Sequence, residues 1–294
     1  MKVFPAWAKR LDLGDCQLKG IDLKLHDEPQ RYRDVVQFIK DDPLSLGALV
    51  TTHKIDLLHA TRDIFDGLDD FASLMGEASS ISKRDGRLMA GAKDPISSGL
   101  ALEAFLPAQH WESSRADAFI LGAGGSSVAL CSYLVRPEHD GNRPARVYVS
   151  NRSPKRLEEM REIHRRQGVD VPVSYVHTPR PEDNDQVLRA LVPGSLVANA
   201  TGLGKDAPGS PLTSAAAFPV SGFAWDFNYR GNLVFLDQAR GQSGERRLAV
   251  EDGWLYFIYG WLAVISEVFH KPIPLHGPVF DELCHLAEKE KSRG

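Results

Sequence analysis

The first residues that could do chemistry form a glycine-rich run over residues 122–127, directly after the apolar run Phe119-Ile120-Leu121. An apolar run followed by glycines and small polar residues predicts a buried strand, a tight turn and the start of a helix. In that arrangement backbone N–H groups and the positive end of the helix dipole can face a pyrophosphate. Ser127 stands at the third glycine position of G-x-G-x-x-G, where a small residue still allows close packing. The candidate phosphate contacts are Gly122, Gly124, Gly125, Ser126 and Ser127.

A second polar run follows the next predicted strand, residues 146–150. An NAD site usually carries Asp or Glu at this position to hold the ribose 2′-OH. Here cations replace that carboxylate, which suits a 2′-phosphate and predicts NADP as the cofactor. The candidate contacts are Asn151, Arg152, Ser153, Lys155 and Arg156. The alternative interpretation is a glycine-rich turn of another α/β protein with cations on a solvated helix face.

A third polar group, Asn199, Thr201 and Gly202, follows the predicted strand 195–199. We expect it at the carboxyl edge of the sheet, where the nicotinamide and its ribose would lie. An ordinary boundary between strand and loop would also explain it.

The candidate for proton transfer is Lys54, which follows the apolar strand 46–50 and the residues Thr51-Thr52-His53. An alcohol that is oxidised by loss of a hydride must also lose a proton. A Lys whose pKa is lowered by partial burial can accept that proton and return it in the reverse direction. A carboxylate would orient the amine, and Asp94 is the candidate. Alternatively, Lys54 is a solvated residue and Asp94 belongs to a turn before Pro95.

Composition excludes several other classes of function. The 294-residue chain has a net charge of −4, which argues against a nucleic-acid-binding surface. The histidines show no metal-ligand spacing, and the three cysteines suggest neither a metal site nor a disulfide framework. No apolar run approaches the ~20 residues of a membrane span. We therefore expect a cytoplasmic monomer or homodimer that binds a small-molecule substrate and no metal, nucleic acid or membrane.

The elements that must position these residues alternate between strand and helix in the middle of the chain. This alternation predicts an α/β fold with a doubly wound, parallel, Rossmann-type sheet. The predicted elements are 118–122, 126–135, 146–150, 154–167, 172–176, 183–190 and 195–199, and residues 224–229 are predicted as the end of a further strand.

The flanking regions have weaker patterns. Strands are predicted at 20–25 and 46–50, together with a hairpin over 81–89 that turns at Asp85-Gly86. Helices are predicted at 5–13, 30–40, 55–75, 98–107, 253–269 and after Pro278.

Several motifs occur in an order that is typical of one family. They are residues 47–54 (GALVTTHK), 121–127 (LGAGGSS), 151–153 (NRS), 198–202 (ANATG), 226–229 (DFNY) and 253–255 (GWL). Together they resemble shikimate dehydrogenase and its quinate/shikimate paralogues. The resemblance implies a smaller α/β substrate domain, residues 1–114 completed by the C-terminal helices in 251–294, and a Rossmann-type NADP domain at 115–250. It also implies hydride transfer between NADP and a secondary alcohol or ketone, with Lys54 and Asp94 as the catalytic pair.

The departures from the family pattern fall on the substrate side. Pro5 matches the Pro of the family's S-x-S-P motif, but Lys2 and Phe4 stand at its serine positions. The family's first strand is missing, so we expect a chain that starts late or is built differently. Ser79 replaces an Asn, and Ile258 or Tyr259 replaces a Gln. The remaining candidate substrate contacts are Thr51, Ser79, Tyr229 and Tyr259, and possible aromatic lining residues are Phe4, Trp7, Tyr256 and Tyr259.

Three functions stay open at this point. The first is an NADP-dependent oxidoreductase that acts on a small alcohol or ketone, such as a cyclic hydroxy acid. The second is a shikimate or quinate dehydrogenase whose substrate carboxylate is held by Lys2, Lys93 or Ser79. The third is a non-catalytic NADP-binding sensor, which would keep the basic cluster and lose the proton-transfer pair.

Overall fold

The computed structural model describes residues 3–139 and 141–291. Its α-helices are α1 (Val3–Arg10), α2 (Pro29–Asp41), α3 (Lys54–Thr61), α4 (Asp70–Met75), α5 (Asp94–Glu103), α6 (His110–Ser114), α7 (Gly125–Leu134), α8 (Pro154–Gln167), α9 (Pro181–Ala190), α10 (Val234–Arg240), α11 (Ser243–Arg246), α12 (Trp254–Val268) and α13 (Pro278–Lys291). Its strands are β1 (Gly47–Leu49), β2 (Gly67–Leu68), β3 (Ser80–Arg84), β4 (Arg87–Gly91), β5 (Ala118–Leu121), β6 (Val147–Asn151), β7 (Val173–His177), β8 (Leu196–Asn199), β9 (Phe223–Asp226) and β10 (Ala249–Glu251).

The chain folds as two compact units. The terminal unit comprises Met1–Lys93 and Ile258–Gly294, and the central unit comprises Asp94–Phe257. These boundaries differ from the predicted ones at 114/115 and 250/251. The first boundary falls earlier because α5 packs against α7 of the central unit. The second falls later because Trp254 and Phe257, in the first turn of α12, pack against Tyr229 of the same unit.

The central unit is built on one parallel sheet with the order β7-β6-β5-β8-β9-β10. Numbered along the chain, this is the order 3-2-1-4-5-6 of a Rossmann fold. The strands β5 and β8 are fully buried, as expected for a parallel sheet that is covered on both faces. The predicted α/β, Rossmann-type architecture is therefore confirmed.

The predicted elements of the middle region agree closely with the observed ones between β5 and β8. Four shorter elements of the central unit were not predicted, namely α6, α10, α11 and β10. Each of these has at most seven residues, so its hydrophobic periodicity is too short to be distinctive.

The terminal unit contains a second sheet with the order β1-β3-β4-β2. Its central pair, β3 and β4, is antiparallel and turns at Asp85 (φ 51°) and Gly86 (φ 75°). Two successive residues with positive φ are typical of the type I′ turn that Asp-Gly favours, and the predicted hairpin is confirmed. Residues of α2, such as Val36, pack with Leu57 of α3 and Ile81 of β3 in the core of this unit.

Three predictions for the flanking regions were wrong. Residues 20–25 alternate as a strand would, but they form no β-ladder within the described part of the chain, and Ile21 and Leu25 are exposed. The predicted helix 55–75 is interrupted, because β2 pairs with β4 and Asp69 caps a new helix by accepting from the Ala72 N–H at 2.8 Å. The helix predicted at 98–107 is α5, which begins at Asp94 instead.

Both predicted C-terminal helices are present as α12 and α13. No helix in the described ranges is long and apolar enough to cross a bilayer. In the terminal unit, α1 packs against α13, and the fully buried Trp7 donates from Nε1 to the Leu283 carbonyl oxygen at 2.8 Å. Trp7 is thus a core residue of this unit.

Candidate functional site

The turn after β5 depends on Gly122. Its φ of +110° is one that residues with a side chain rarely adopt, and a Cβ placed there would lie 2.9 Å from the Ala200 carbonyl oxygen. Its N–H donates to the Ser150 carbonyl oxygen at 2.8 Å. Gly122 therefore lets the loops after β5, β6 and β8 meet closely at the carboxyl edge of the sheet.

The start of α7 has the properties of an anion-binding helix terminus. Its N-cap, Gly124, is exposed, and a Cβ built on it would meet no atom within 4 Å. No side chain caps the helix, and its first turn has no acidic residue. The N–H groups of Gly125 and Ser126 are therefore left to an outside acceptor, and the helix dipole favours an anion there.

Ser127 differs from its neighbours because its side chain is fully buried. Its Oγ makes no hydrogen bond within the described ranges. Buried hydroxyls usually have a partner, so this one is an unsatisfied donor next to the turn. A Cβ on Gly122 would approach the same Oγ to 3.1 Å, so the glycine also keeps this space open.

The predicted basic residues follow β6, which is parallel to β5 with Leu121 opposite Ser150. The glycine turn and Asn151 therefore lie at the same edge of the sheet. Asn151 Oδ1 accepts from the Ser153 N–H at 3.3 Å, and Ser153 Oγ accepts from the Arg156 N–H at 3.5 Å as the N-cap of α8. Asn151 and Ser153 thus shape the turn that presents Arg152.

The cations of this segment are not equivalent. Arg156 forms an ion pair with Glu159 at 2.9 Å, and the Lys155 amine lies 3.9 Å from the same carboxylate. Arg152 is exposed, and its guanidinium has no ion pair in the described part of the chain. Arg152 is therefore the member of the cluster best able to bind an added anion.

The end of β8 is tied to the end of β9 through buried polar groups. Asn199 donates from Nδ2 to Asp226 Oδ1 at 3.1 Å and accepts from both the N–H and the hydroxyl of Thr201, at 3.1 and 2.6 Å. The Asn228 N–H donates to the same Asp226 oxygen at 2.9 Å. This network fixes the loop with Thr201 and the exposed Gly202 beside the switch point between β5 and β8, where ligands of such sheets bind.

Asp226 belongs to one of the sequence motifs, but it was not among the candidate site residues. Burial raises the pKa of its carboxyl to about 6, against the lowering effect of the Asn228 and Asn199 hydrogen bonds. Its Oδ2 has no hydrogen-bond partner within the described ranges. Asp226 therefore takes up a proton at a higher pH than an ordinary aspartate does.

Asp94, the proposed catalytic carboxylate, is the first residue of α5 and is buried. The Tyr256 hydroxyl donates to its Oδ2 at 2.9 Å. The Tyr256 ring is held at 4.8 Å from Phe227 and 6.3 Å from Trp225, in edge-to-face contacts. Tyr256 thus orients the Asp94 carboxylate, and this hydrogen bond was not predicted from the sequence.

Tyr229 lies in an aromatic cluster at the end of β9. Its ring is 5.5 Å from Trp254 and 4.9 Å from Phe257. Gly253 allows this packing, because a Cβ there would lie 2.0 Å from the Phe227 carbonyl oxygen. Burial raises the pKa of the Tyr229 hydroxyl, which keeps it protonated.

In the terminal unit, Lys54 is the first residue of α3 and is half-buried. Its carbonyl oxygen accepts from the Ala78 N–H at 3.0 Å, which anchors the start of the helix. His53, the N-cap, has its Nδ1 3.3 Å from the Tyr32 hydroxyl, and Thr51 is exposed in the turn before it. The structure therefore gives Lys54 a fixed backbone at a helix start.

Other candidate substrate contacts of the terminal unit are used in packing. Ser79 is buried; its Oγ accepts from the Lys93 N–H at 2.7 Å and donates to the Gly91 carbonyl oxygen at 3.4 Å. The Lys93 amine lies 3.0 Å from Asp69 and 3.4 Å from Glu267. These hydrogen bonds and ion pairs occupy the groups that a substrate carboxylate would need.

The aromatic candidates of the terminal unit are also packed. Tyr259 is buried, and its ring stacks on Phe280 at 4.7 Å with an interplanar angle of 12°. Phe4 is buried near Phe269, at 6.4 Å between ring centroids. Lys2, a further candidate, lies outside the described residues.

The chain shares sequence with one group of enzymes, although no family model matches it. It is 29% identical over 181 residues to the shikimate dehydrogenase (NADP(+)) of Streptococcus thermophilus, a match that covers 61% of this chain. The match spans only 59% of that protein's own length.

The fold is similar over nearly the whole chain. The crystal structure of shikimate 5-dehydrogenase from Thermus thermophilus, in complex with NADP(H) and shikimate, has a TM-score of 0.67 and 21% identity, and the match covers 98% of this chain and 93% of that one. The ligand-free 5-ketofructose reductase of a Gluconobacter species has a TM-score of 0.61 and 16% identity, covering 92% and 86%. In sequence and in fold, the chain is therefore similar to shikimate dehydrogenases.

Proposed function

We propose that this protein is an NADP-dependent oxidoreductase that transfers a hydride reversibly between the cofactor and a secondary alcohol or ketone of a small substrate. The observation that carries the proposal is the carboxyl edge of the central sheet. There an uncapped helix start and an unpaired arginine follow neighbouring strands of a Rossmann fold. The names of the relatives support the same class of activity.

The residues at this edge fit a dinucleotide. The open space at Gly124 admits a pyrophosphate, and the free N–H groups of α7 and the unpartnered Ser127 hydroxyl offer it donors. Arg152 and Asn151 would hold the 2′-phosphate of the adenosine ribose. Asn199 and Thr201 would lie at the nicotinamide end. A nicotinamide cofactor bound there supplies the hydride acceptor.

Lys54 is the proposed acid and base. As the alcohol carbon loses its hydride, the amine of Lys54 would accept the hydroxyl proton, leaving a ketone; in the reverse direction its ammonium returns that proton. Its place at the start of α3 supports this role, because the backbone there is held by the hydrogen bond from the Ala78 N–H to the Lys54 carbonyl oxygen.

Asp94 is the proposed carboxylate partner in the reaction. The hydrogen bond from Tyr256 would fix the orientation of its carboxyl group for the reaction. The functional pairing of Lys54 with Asp94 remains a proposal, which a double-mutant cycle tests. The pairing would be supported if a variant that lacks both side chains loses no more turnover than a variant that lacks either Lys54 or Asp94 alone.

The proposed substrate is a small hydroxy acid or polyol other than shikimate. Two of the groups that could replace the family's carboxylate contacts, Ser79 and Lys93, already have hydrogen-bond or ion-pair partners. A site that lacks such contacts loses much affinity for the original substrate. The structural neighbour named as a 5-ketofructose reductase supports a different substrate on this fold.

The test is a spectrophotometric assay of NADP⁺ reduction at about 340 nm with shikimate, quinate and a panel of cyclic hydroxy acids and polyols, with NAD⁺ in parallel. Turnover of a panel member with NADP⁺, and weak or no turnover of shikimate, would support the proposal. Efficient turnover of shikimate would favour a rebuilt carboxylate site. Tight NADP⁺ binding without any turnover would favour the sensor function.

A further inference from the structure

His177 is a residue of the central unit for which the proposed function has no role so far. It ends β7 and pairs in register with Asn151 at the end of β6. Its side chain is exposed, and its Nε2 lies 3.2 Å from the carbonyl oxygen of Arg152. His177 is therefore beside the residue that is proposed to hold the 2′-phosphate.

The hydrogen bond to Arg152 decides which nitrogen of His177 is free. A carbonyl oxygen can only accept, so the ring hydrogen lies on Nε2. Nδ1 is then the basic nitrogen, and it has no hydrogen-bond partner within the described ranges. Protonation of Nδ1 would turn the ring into a cation whose second N–H can donate to an anion.

The charges around this position leave room for such a cation. Of the predicted basic residues, Lys155 and Arg156 both interact with Glu159 at the start of α8. Among the described residues 151–156, Arg152 therefore carries the one guanidinium without an ion pair that a dianionic phosphate could meet. His177 is the titratable group next to it.

We infer that His177 is a specificity-determining residue that, together with Arg152, binds the 2′-phosphate of NADP. The inference rests on the proposed preference for NADP. Hydrogen bonds from a charged donor to a phosphate are strong and short, so a second donor should increase the discrimination against NAD. NAD, which has a hydroxyl at this position, would gain little from either residue.

Three surrounding elements contribute charged groups that bear on the pH dependence. Arg152 lies after β6. Asp183 of α9 interacts electrostatically with His177, although it is also bound by Arg180 at 3.2 Å. On α8, which packs against β6 and β7, the charges near the helix start are Lys155 and Arg156, both of which interact with Glu159 one turn further along.

The test is calorimetric titration of the full chain with NADP⁺, NAD⁺, 2′,5′-ADP and 5′-AMP. At pH 6.5 we expect His177→Gln to weaken NADP⁺ and 2′,5′-ADP about five- to tenfold and to change NAD⁺ and 5′-AMP less than about twofold. The effect on NADP⁺ should be smaller at pH 8.5 than at pH 6.5, because a second ring N–H toward the phosphate needs a protonated imidazole. Arg152→Gln should weaken NADP⁺ at both pH values.

Two further variants keep the inference open to refutation. His177→Lys should bind NADP⁺ at pH 8.5 at least as tightly as the wild type, since its cation does not titrate there. His285→Gln, which replaces an exposed histidine of α13, is the matched control and should change nothing.

The outcomes separate this inference from the proposed function. Equal weakening of NADP⁺ and NAD⁺ by His177→Gln would mean that the ring only supports the backbone at Arg152, and would overturn the inference alone. An unchanged NADP⁺ affinity at both pH values would do the same. A wild-type protein that binds NADP⁺ no more tightly than NAD⁺ would overturn the proposed cofactor preference together with the inference.

Discussion

Replacement of either of two glycines by alanine in the turn after β5 separates folding from cofactor binding. Gly122 has a φ of +110°, and a Cβ there would lie 2.9 Å from a backbone oxygen that cannot move away without shifting β8. Backbone strain of this kind costs about 1–3 kcal/mol, and the close contact adds to it. We expect Gly122→Ala to lower the free energy of unfolding by about 3 kcal/mol.

Gly124→Ala should behave differently. Gly124 has a φ of −91° and a ψ of −173°, which alanine can adopt, and its Cβ would meet no atom within 4 Å. The loss of a glycine N-cap and the reduced entropy of the unfolded chain are each below about 1 kcal/mol and opposite in sign. The folded protein should therefore be as stable as the wild type to within about 1 kcal/mol.

The new methyl group of Gly124→Ala would, however, fill the space in which the pyrophosphate is proposed to lie. We expect at least a tenfold loss of NADP⁺ affinity, about 1.4 kcal/mol or more. Urea unfolding followed by circular dichroism measures the stability of both variants, and calorimetric titration measures the affinity. A Gly124→Ala protein that is stable and binds NADP⁺ like the wild type would refute the proposed position of the cofactor.

Three further predictions concern polar side chains of the central unit. Burial lowers the pKa of His164 to about 4, so its contribution to stability is present above pH 6.5 and is lost as pH falls toward 4. Between pH 7 and pH 5 the free energy of unfolding of the wild type should therefore fall by about 2 kcal/mol more than that of His164→Gln, as measured by urea unfolding. The raised pKa of Asp226, about 6, has the opposite effect on stability, because ionisation of the buried carboxyl destabilises the folded state as pH rises through 6. From pH 7 to pH 5 the free energy of unfolding of the wild type relative to Asp226→Asn should therefore increase by about 1 kcal/mol in the same assay. Tyr256→Phe should lower turnover about tenfold and shift its pH profile without changing NADP⁺ affinity, because it removes the hydroxyl that donates to Asp94. The control is Tyr148→Phe, which removes a hydroxyl that accepts from Arg146 at 3.1 Å. Equal effects of the two variants would argue against a role of Tyr256 in turnover.

The central fold could be predicted because its signals are local. Each buried strand is an apolar run, and each is followed by a turn residue or a helix with its own periodicity. Asp85-Gly86 likewise specifies its hairpin turn without help from distant residues. The strand predicted at 20–25 failed because a strand needs a partner, and residue alternation does not say whether one exists.

The candidate site shows the same division. The positions of Gly122, Gly124 and Arg152 follow from a short motif and the strand next to it. Tyr256 and Asp94 are 162 residues apart in sequence, so no local pattern could connect them. Ser79 was predicted to contact substrate, but only the folded sheet reveals that its hydroxyl is held between Lys93 and Gly91.

The inferred role of His177 was not predicted, although the sequence contains a signal for its position. The residue ends the strand after the basic run, and in a parallel sheet the carboxyl ends of neighbouring strands share an edge. The inference for His177 depends on the interaction of Lys155 and Arg156 with Glu159. The sequence alone does not predict this interaction, because exposed charged side chains can adopt several arrangements.

The measurement that tests the central claim most directly compares the wild type with Lys54→Ala in NADP⁺ reduction and in NADP⁺ titration, using the panel of hydroxy acids and polyols. We predict that the wild type oxidises at least one member of the panel. We also predict that Lys54→Ala binds NADP⁺ with unchanged affinity but turns over that substrate at least about 100-fold more slowly than the wild type. Equal turnover by both proteins, or tight NADP⁺ binding by a wild type that oxidises none of the panel, would contradict the claim that this is an oxidoreductase with Lys54 as its acid and base.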